Sequence, residues 1–118
     1  MYRPSSPEQL RERDCAPLSG RDALGTEDVD AQLSGLPRWT HVDGALQAQY
    51  LFADWWETIA FVNALAWMVH RQDHHPDLQV SYDRCIVRWN THSAGGVTVN
   101  DFVCAARTDA IYDARPRA

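Results

Sequence analysis

Residues 54–77 read DWWETIAFVNALAWMVHRQDHHPD, and this stretch decides the fold because it predicts one long helix with a sharp exit. Asp54 and Glu57 form a D-x-x-E pattern, which is typical of a helix N-terminus. Apolar side chains at helical spacing predict the core face of this helix: Trp55, Ile59, Val62, Ala66 and Val69, widened by Trp56, Ala60 and Trp67. Pro76 disfavours a helical conformation in the residue before it, so the helix is expected to end by His75.

Two pairs of strands are predicted, one on each side of this helix. Before it, Asp43-Gly44 is typical of a two-residue hairpin turn, and apolar and polar side chains alternate over residues 46–52. After it, the same alternation covers residues 78–82 and 85–89, on either side of Asp83-Arg84. Each pair therefore predicts an antiparallel hairpin.

Two further helices complete the predicted fold. Thr26 is expected to cap a short helix that Gly35 and Pro37 end, and Thr98 is expected to cap a last helix with Asp101 at its third position. The resulting order is α-β-β-α-β-β-α. This order predicts a two-layer α+β domain with a four-stranded antiparallel sheet and helices packed on one face.

The first twenty residues differ in composition from the rest of the chain. Residues 1–20 are rich in Pro, Ser, Arg and Glu and have few large apolar side chains, so they are expected to form a flexible tail before a domain over residues 21–118. The alternative is a short helical turn, because Ser6-Pro7-Glu8-Gln9 has a cap, a proline at the first helical position and a capping-box Gln.

Composition excludes several classes of protein. All eleven basic residues are arginine and the formal net charge is −5, which argues against direct nucleic-acid binding. The most apolar stretch, residues 55–69, is too short to span a bilayer, and no secretory signal follows Met1. Cys15, Cys85 and Cys104 have no CxxC spacing, so a cytoplasmic protein with free thiols is expected.

A histidine cluster ends the long helix, and spacing alone leaves its role open. His70 and His74 are four residues apart, which is metal-ligand spacing if the helix persists, with His92 or Asp101 completing the site. Solvated histidines also gain from a helix C-terminus with no function at all. General acid–base chemistry is the third interpretation, since each imidazole exchanges a proton near neutral pH.

The stretch HRQDHHPDLQVSYDRCIVRWNTHSAGGVTVND resembles the signature region of the pterin-4a-carbinolamine dehydratases. The family pattern is His-His-Pro followed by an aromatic residue, a second His and an Asp at set distances. The matching residues here are His74, His75, Pro76, Tyr82, Thr91-His92 and Asp101. Upstream, RWTHVDGAL resembles the family's first hairpin with its tryptophan, Trp39, so the likeness runs from about residue 22 to 113. The family's fold is the α+β fold predicted above.

The resemblance implies a dehydratase that converts 4a-hydroxytetrahydropterin to quinonoid dihydropterin and water, in tetrahydropterin recycling and with no metal or organic cofactor. It implies that His74 and His92 are the acid–base pair and that His75 mainly binds and orients the pterin. The remaining residues that it places at the substrate are Trp39, His70, Asp73, Pro76, Thr91 and Asp101. His70 stands where the family often has glutamate, and a second imidazole beside His74 would tend to lower its pKa.

Two further expectations concern partners. The long helix is apolar over more of its surface than one sheet face needs, so a homodimer is expected, with a tetramer as the alternative. Dehydratase-like proteins also serve as transcription-factor dimerisation partners or as assembly chaperones for carbon-fixing enzymes. A non-catalytic binding or assembly protein is therefore the alternative function on the same fold.

Overall fold

The structure is a computed structural model that describes residues 2–18 and 20–116, so the expectations for Met1, Ser19 and residues 117–118 lie outside the described residues. The helices are α1 (Pro7–Glu12), α2 (Thr26–Leu33), α3 (Trp55–Gln72) and α4 (Val99–Asp113). The strands are β1 (Thr40–Val42), β2 (Ala45–Leu51), β3 (Asp77–Ser81) and β4 (Arg84–Trp89). Two short 3-10 turns lie at Gly20–Asp22 and His92–Ala94.

The four strands form one antiparallel sheet in the order β1-β2-β4-β3. The predicted hairpin turn joins β1 to β2, because Asp43 and Gly44 both have positive φ angles (50° and 75°) and Val42 pairs with Ala45. Such a turn matches the twist of the two strands. The predicted α+β fold with a four-stranded antiparallel sheet is confirmed.

The helix α3 packs on the sheet with a face that differs from the predicted one. Its buried residues are Glu57, Thr58, Phe61, Leu65 and Met68. By contrast, Trp55, Trp56 and Trp67 are 50%, 70% and 65% exposed. The prediction was right for Val62 and Val69, which pack partly buried against the core, and wrong for the tryptophans. The helix α3 has two apolar stripes, and periodicity does not say which one meets the sheet. The choice follows from partners such as Tyr50, whose ring lies 5.1 Å from that of Phe61.

The helix α3 ends before His75, as expected from Pro76. The helix stops at Gln72, and Asp73 takes the left-handed conformation (φ 50°, ψ 41°) that often ends a helix. Consequently His70 is helical and His74 is not, so the two side chains do not share a helix face. In the described part of the chain, no helix is both long and apolar enough to cross a membrane.

The two flanking helices differ in how they begin. Thr98 caps α4 as predicted, and its own backbone N–H donates to the carboxylate of Asp101 at 2.8 Å in a capping box. The predicted cap of α2 was wrong, because Thr26 is already helical and Gly25 is the N-cap, without a side-chain hydrogen bond. Val29 anchors α2 in the core.

The N-terminal segment, residues 2–18, differs from the expected flexible tail. It contains α1, whose capping box between Ser6 and Gln9 confirms the alternative of a capped turn. Leu10 is fully buried in the core. The buried amide of Gln32 also accepts from the backbone N–H of Ser5 and donates to its carbonyl. The composition of the segment predicted no core contacts because it has few apolar side chains. The burial of Leu10 and the hydrogen bonds between Gln32 and Ser5 nevertheless hold it against the domain.

Candidate active site

A histidine–carboxylate pair forms where α3, β4 and α4 meet. His74 follows the left-handed turn after α3, and its Nε2 lies 2.7 Å from Oδ1 of Asp101 in the first turn of α4. Asp101 is fully buried, and the imidazole stacks on the indole of Trp89 from β4 at 5.5 Å between ring centres. Three elements of the fold thus fix the position of one titratable ring.

The second oxygen of Asp101 is held by threonines. Oδ2 accepts from the hydroxyl of Thr91 and from the backbone N–H of Thr98, both at 2.8 Å. The two threonine hydroxyls also lie 2.8 Å apart. Since donors surround Oδ2, the carboxylate cannot rotate freely and presents Oδ1 to His74.

The environment of His74 favours its protonated form. Burial alone would lower the pKa of His74, but the hydrogen bond and the charge of Asp101 raise it more, and the negative charge of the Cys15 thiolate adds to the rise. The net effect is a pKa above the ordinary value of histidine. His74 therefore holds a proton further into the neutral range than a solvated histidine does.

A cavity of about 280 Å³ opens beside His74, at the lower end of the size of small-molecule sites. One wall is the N-terminal segment from Cys15 to Leu18, and the other includes Asp73, His74 and Thr91. A larger cavity of about 530 Å³ lies against α3 and α4 elsewhere, but no histidine lines it. Of these two cavities, the smaller one is lined by a histidine, and it is therefore the candidate active site.

Side chains of the domain hold the N-terminal wall in place. The amide of Asn100, at the start of α4, accepts from the backbone N–H of Ala16 at 3.1 Å and donates to its carbonyl at 2.7 Å. The hydroxyl of Ser93 donates to the carbonyl of Leu18 at 2.7 Å. The segment thus belongs to the site although the sequence placed it in a tail.

The structure brings only some of the predicted site residues together. Those at the cavity or directly beneath it are Asp73, His74, Thr91 and Asp101. His75 and Pro76 follow His74 on the way to β3, and His92 follows Thr91. His75 and His92 are exposed and, like Pro76, do not line the cavity.

Two predicted site residues lie elsewhere. Trp39 is buried and donates from its indole N–H to Asp109 at 3.1 Å, about 12 Å along α4 from Asp101. His70 is exposed, with its ring 6.3 Å from that of Trp67. Neither lines the cavity.

Some lining residues carried no sequence signal. Cys15, Gln72, Ser93 and Asn100 all line the cavity, but none belongs to a motif with recognisable spacing. In residues 2–18 and 20–116, no group of three or more His, Cys, Asp or Glu side chains is placed to hold a metal ion. The arrangement thus gives no support to the metal interpretation of the histidine cluster.

Comparison with known proteins shows the family of this chain. The family model described as pterin 4 alpha carbinolamine dehydratase matches residues 22–111. A protein of Chromobacterium violaceum, provisionally named pterin-4-alpha-carbinolamine dehydratase, is 48% identical over 103 residues, which cover 87% of this chain and 95% of that protein. A Stenotrophomonas maltophilia protein with the same provisional name is 46% identical, covering 91% of this chain and 95% of its own length. That match leaves out at most about a tenth of this chain, so it includes part of the N-terminal segment.

Solved structures extend the comparison. A transcriptional coactivator/pterin dehydratase from Brucella melitensis superposes with a TM-score of 0.73 at 30% identity, covering 76% of this chain and 98% of that one. A pterin dehydratase-like protein identified as a RuBisCO assembly factor in the alpha-carboxysome gives a TM-score of 0.54 at 21% identity, covering 64% and 87%, and shares the fold. This chain belongs to the pterin-4-alpha-carbinolamine dehydratase family.

Proposed function

We propose that this protein is a dehydratase that converts 4a-hydroxytetrahydropterin to quinonoid dihydropterin and water, in tetrahydropterin recycling. The observation that carries the proposal is the His74–Asp101 pair in the wall of a cavity of small-molecule size. Membership of the family supports the pterin as substrate. A non-catalytic binding protein on this fold has no need of a histidine whose proton affinity is raised by a buried carboxylate.

The proposed reaction needs two proton transfers. An acid gives a proton to the hydroxyl on carbon 4a, which leaves as water, and a base removes the proton from a ring nitrogen. The bonding electrons of that N–H then form the double bond of the quinonoid product. Both transfers suit imidazoles that titrate near neutral pH.

The surroundings of the histidines support a division of roles. His74 has a raised pKa and its Nε2 faces Asp101, so its Nδ1 is left for the substrate, and we assign it as the acid. His92 adjoins Thr91 at the cavity and is assigned as the base. His75 and Pro76, which directly follow His74, would orient the pterin, as would Asp73 in the cavity wall.

The test is to generate 4a-hydroxytetrahydropterin in situ and to follow its dehydration optically. We expect the wild-type protein to accelerate dehydration clearly above the spontaneous rate, and His74→Gln or His92→Gln to lose most of the acceleration. His41→Gln is the matched control, because His41 lies on β1 and does not line the cavity. It is expected to keep wild-type activity.

A different result would favour the alternative function. Folded wild-type protein that gives no acceleration over the spontaneous rate would reject the dehydratase and favour a binding or assembly role. Equal losses in His74→Gln, His92→Gln and His41→Gln would show that the losses have no relation to the site.

We also propose that the protein forms a homodimer. Trp55, Trp56 and Trp67 are at least half exposed on α3, and such an apolar surface commonly marks an interface. Sedimentation velocity of wild type and of Trp56→Glu tests this proposal. A shift from dimer to monomer in the variant is expected, and a wild-type monomer at all concentrations would contradict it.

A further inference from the structure

The sulfur atoms of Cys15 and Cys104 lie 3.5 Å apart, although the two residues are 89 positions apart in sequence. A disulfide bond is about 2.05 Å long, so the two sulfurs need to approach by only about 1.5 Å to form one. We propose that Cys15 and Cys104 are an oxidation site in the cavity wall, where a hydroperoxide converts the two thiols into an intramolecular disulfide.

Hydrogen bonds of the backbone fix the position of Cys15. Its N–H donates to the side-chain carbonyl of Gln72 at 2.7 Å, and the next residue, Ala16, pairs with the Asn100 amide in both directions. Asn100 and Cys104 are one turn apart on α4, so they lie on the same face of that helix. The backbone positions of Cys15 and Cys104 are therefore both fixed by other contacts. The short distance between the sulfurs follows from these positions and not from the rotation of one flexible side chain.

The two thiols differ in exposure and in acidity. Cys15 is half-buried and lines the cavity, whereas Cys104 is fully buried. The hydrogen bond with Cys104 lowers the pKa of Cys15 more than burial raises it, and the charge of His74 acts in the same direction. The same hydrogen bond, together with burial, raises the pKa of Cys104. Cys15 is thus the nucleophile that an oxidant from the cavity meets, and Cys104 is the resolving thiol.

The reaction balances in two steps. The Cys15 thiolate attacks one oxygen of the hydroperoxide, the O–O bond breaks, and the alcohol leaves with a proton while Cys15 becomes a sulfenic acid. The Cys104 sulfur then attacks the Cys15 sulfur, and the hydroxyl leaves with the Cys104 proton as water. Overall, two thiols lose two electrons and the hydroperoxide is reduced to an alcohol and water.

The disulfide would act on the neighbouring catalytic pair. It would join the N-terminal wall covalently to α4, three residues after Asp101, and would remove the Cys15 charge that helps to raise the pKa of His74. Resting on the proposed function, we expect oxidation to lower kcat/KM for the pterin and a dithiol reductant to restore it.

Formation of the bond is tested without any pterin. Fully reduced full-length protein is treated with one equivalent of tert-butyl hydroperoxide, and free thiols are counted after denaturation. We expect the count to fall from three to one, with the mass of two hydrogens lost and one peptide linking Cys15 to Cys104. Cys85→Ser is the matched control and should also lose two thiols, because Cys85 lies in β4 outside the pair.

Two variants separate the steps. Cys104→Ala should form no disulfide and should accumulate a Cys15 sulfenic acid that a 1,3-dicarbonyl probe captures, whereas Cys15→Ser should give neither product. Wild-type protein that keeps three thiols, forms disulfide-linked dimers instead, or is captured by the probe as fully as Cys104→Ala would overturn the proposal. These outcomes do not depend on whether the protein is a dehydratase, so the two proposals fail independently.

Discussion

Among the carboxylates of helix α4, Asp101 and Asp109 lie eight residues apart, and both collect hydrogen bonds from other elements. Asp101 accepts from Thr91 and from the backbone of Thr98 and pairs with His74. Asp109 accepts from the indole of Trp39 at 3.1 Å and from the hydroxyl of Tyr50 at 2.5 Å.

The difference between the two carboxylates lies in what they bind. Burial and Asp109 raise the pKa of Tyr50 far above its ordinary value, so the phenol stays neutral, and the indole of Trp39 has no proton to exchange. Asp101, in contrast, binds a histidine beside a cavity and raises its pKa above the ordinary value. The role of a buried carboxylate thus depends on its partner. It is structural when the partner cannot exchange a proton, and it can serve catalysis when the partner titrates and lies beside a cavity that a substrate can enter.

The largest expected effect is that of Asp101→Asn. An asparagine keeps the shape of the side chain but removes the charge that stabilises the imidazolium of His74. We expect kcat for pterin dehydration to fall by about 10²–10³-fold, a loss of about 3–4 kcal/mol of transition-state stabilisation. Stopped-flow absorbance with substrate generated in situ measures the rate.

A spectroscopic readout distinguishes a change in chemistry from a loss of structure. The pKa of His74 in Asp101→Asn, followed by NMR titration, should fall towards the ordinary value, while the chemical shifts of the sheet stay in place. A variant that retains kcat within about twofold would remove Asp101 from the proposed mechanism.

Asp109→Ala should show the opposite pattern. It leaves the buried groups of Trp39 and Tyr50 without their acceptor and removes a partner of Arg38, so the free energy of unfolding should fall by about 2–3 kcal/mol. Because Asp109 is remote from the cavity, kcat should stay within about twofold of wild type. Urea unfolding and the dehydration assay measure the two quantities, and a loss of kcat comparable to that of Asp101→Asn would end the contrast between the carboxylates.

Much of the fold follows from local signals in the sequence. The Asp43-Gly44 turn and the caps at Asp54 and Thr98 are each decided by a few neighbouring residues, and all three occur as predicted. The resemblance to a family singled out His74 and Asp101, which the structure brings to 2.7 Å.

Other features depend on partners that are distant in sequence. Two stripes of α3 are apolar, and tertiary contacts such as those of Phe61 with Tyr50, Phe52 and Tyr112 decide which one is buried. The N-terminal wall depends on pairs such as Ala16 with Asn100, which join residues 84 positions apart and leave no trace in composition. These contacts are tertiary, so no pattern within one segment predicts them.

The pH dependence of stability should also separate the two carboxylates. The pKa of His74 is raised on folding, so its pairing with Asp101 stabilises the protein fully below about pH 6.5 and loses this effect as pH rises through the folded pKa. The free energy of unfolding of wild type minus that of His74→Gln should therefore decrease with rising pH above that point. Urea unfolding at a series of pH values above 5 measures the difference.

The controls for the pH series use the other charged neighbours. Asp109→Ala should give a difference from wild type that is flat over the same range, because Trp39, Tyr50 and Arg38 do not titrate there. Cys15→Ser removes the second group that raises the folded pKa of His74, so the decrease should be smaller and should end at a lower pH. A wild-type difference that increases with pH would show that the sign assigned to His74 is wrong.

The smallest expected effect concerns the wall opposite Asp101. Asn100→Ala removes both hydrogen bonds to Ala16, each contributing about 1 kcal/mol, so the wall is expected to be less ordered while the His74–Asp101 pair stays intact. KM for the pterin should rise about fivefold with kcat unchanged, because the wall binds ground state and transition state alike. Steady-state kinetics measure the split, with Asn63→Ala, exposed on α3, as the matched control. A fall in kcat without a change in KM would instead mean that Asn100 acts on the catalytic pair through α4, and the N-terminal wall would then belong with Asp101 rather than with substrate binding.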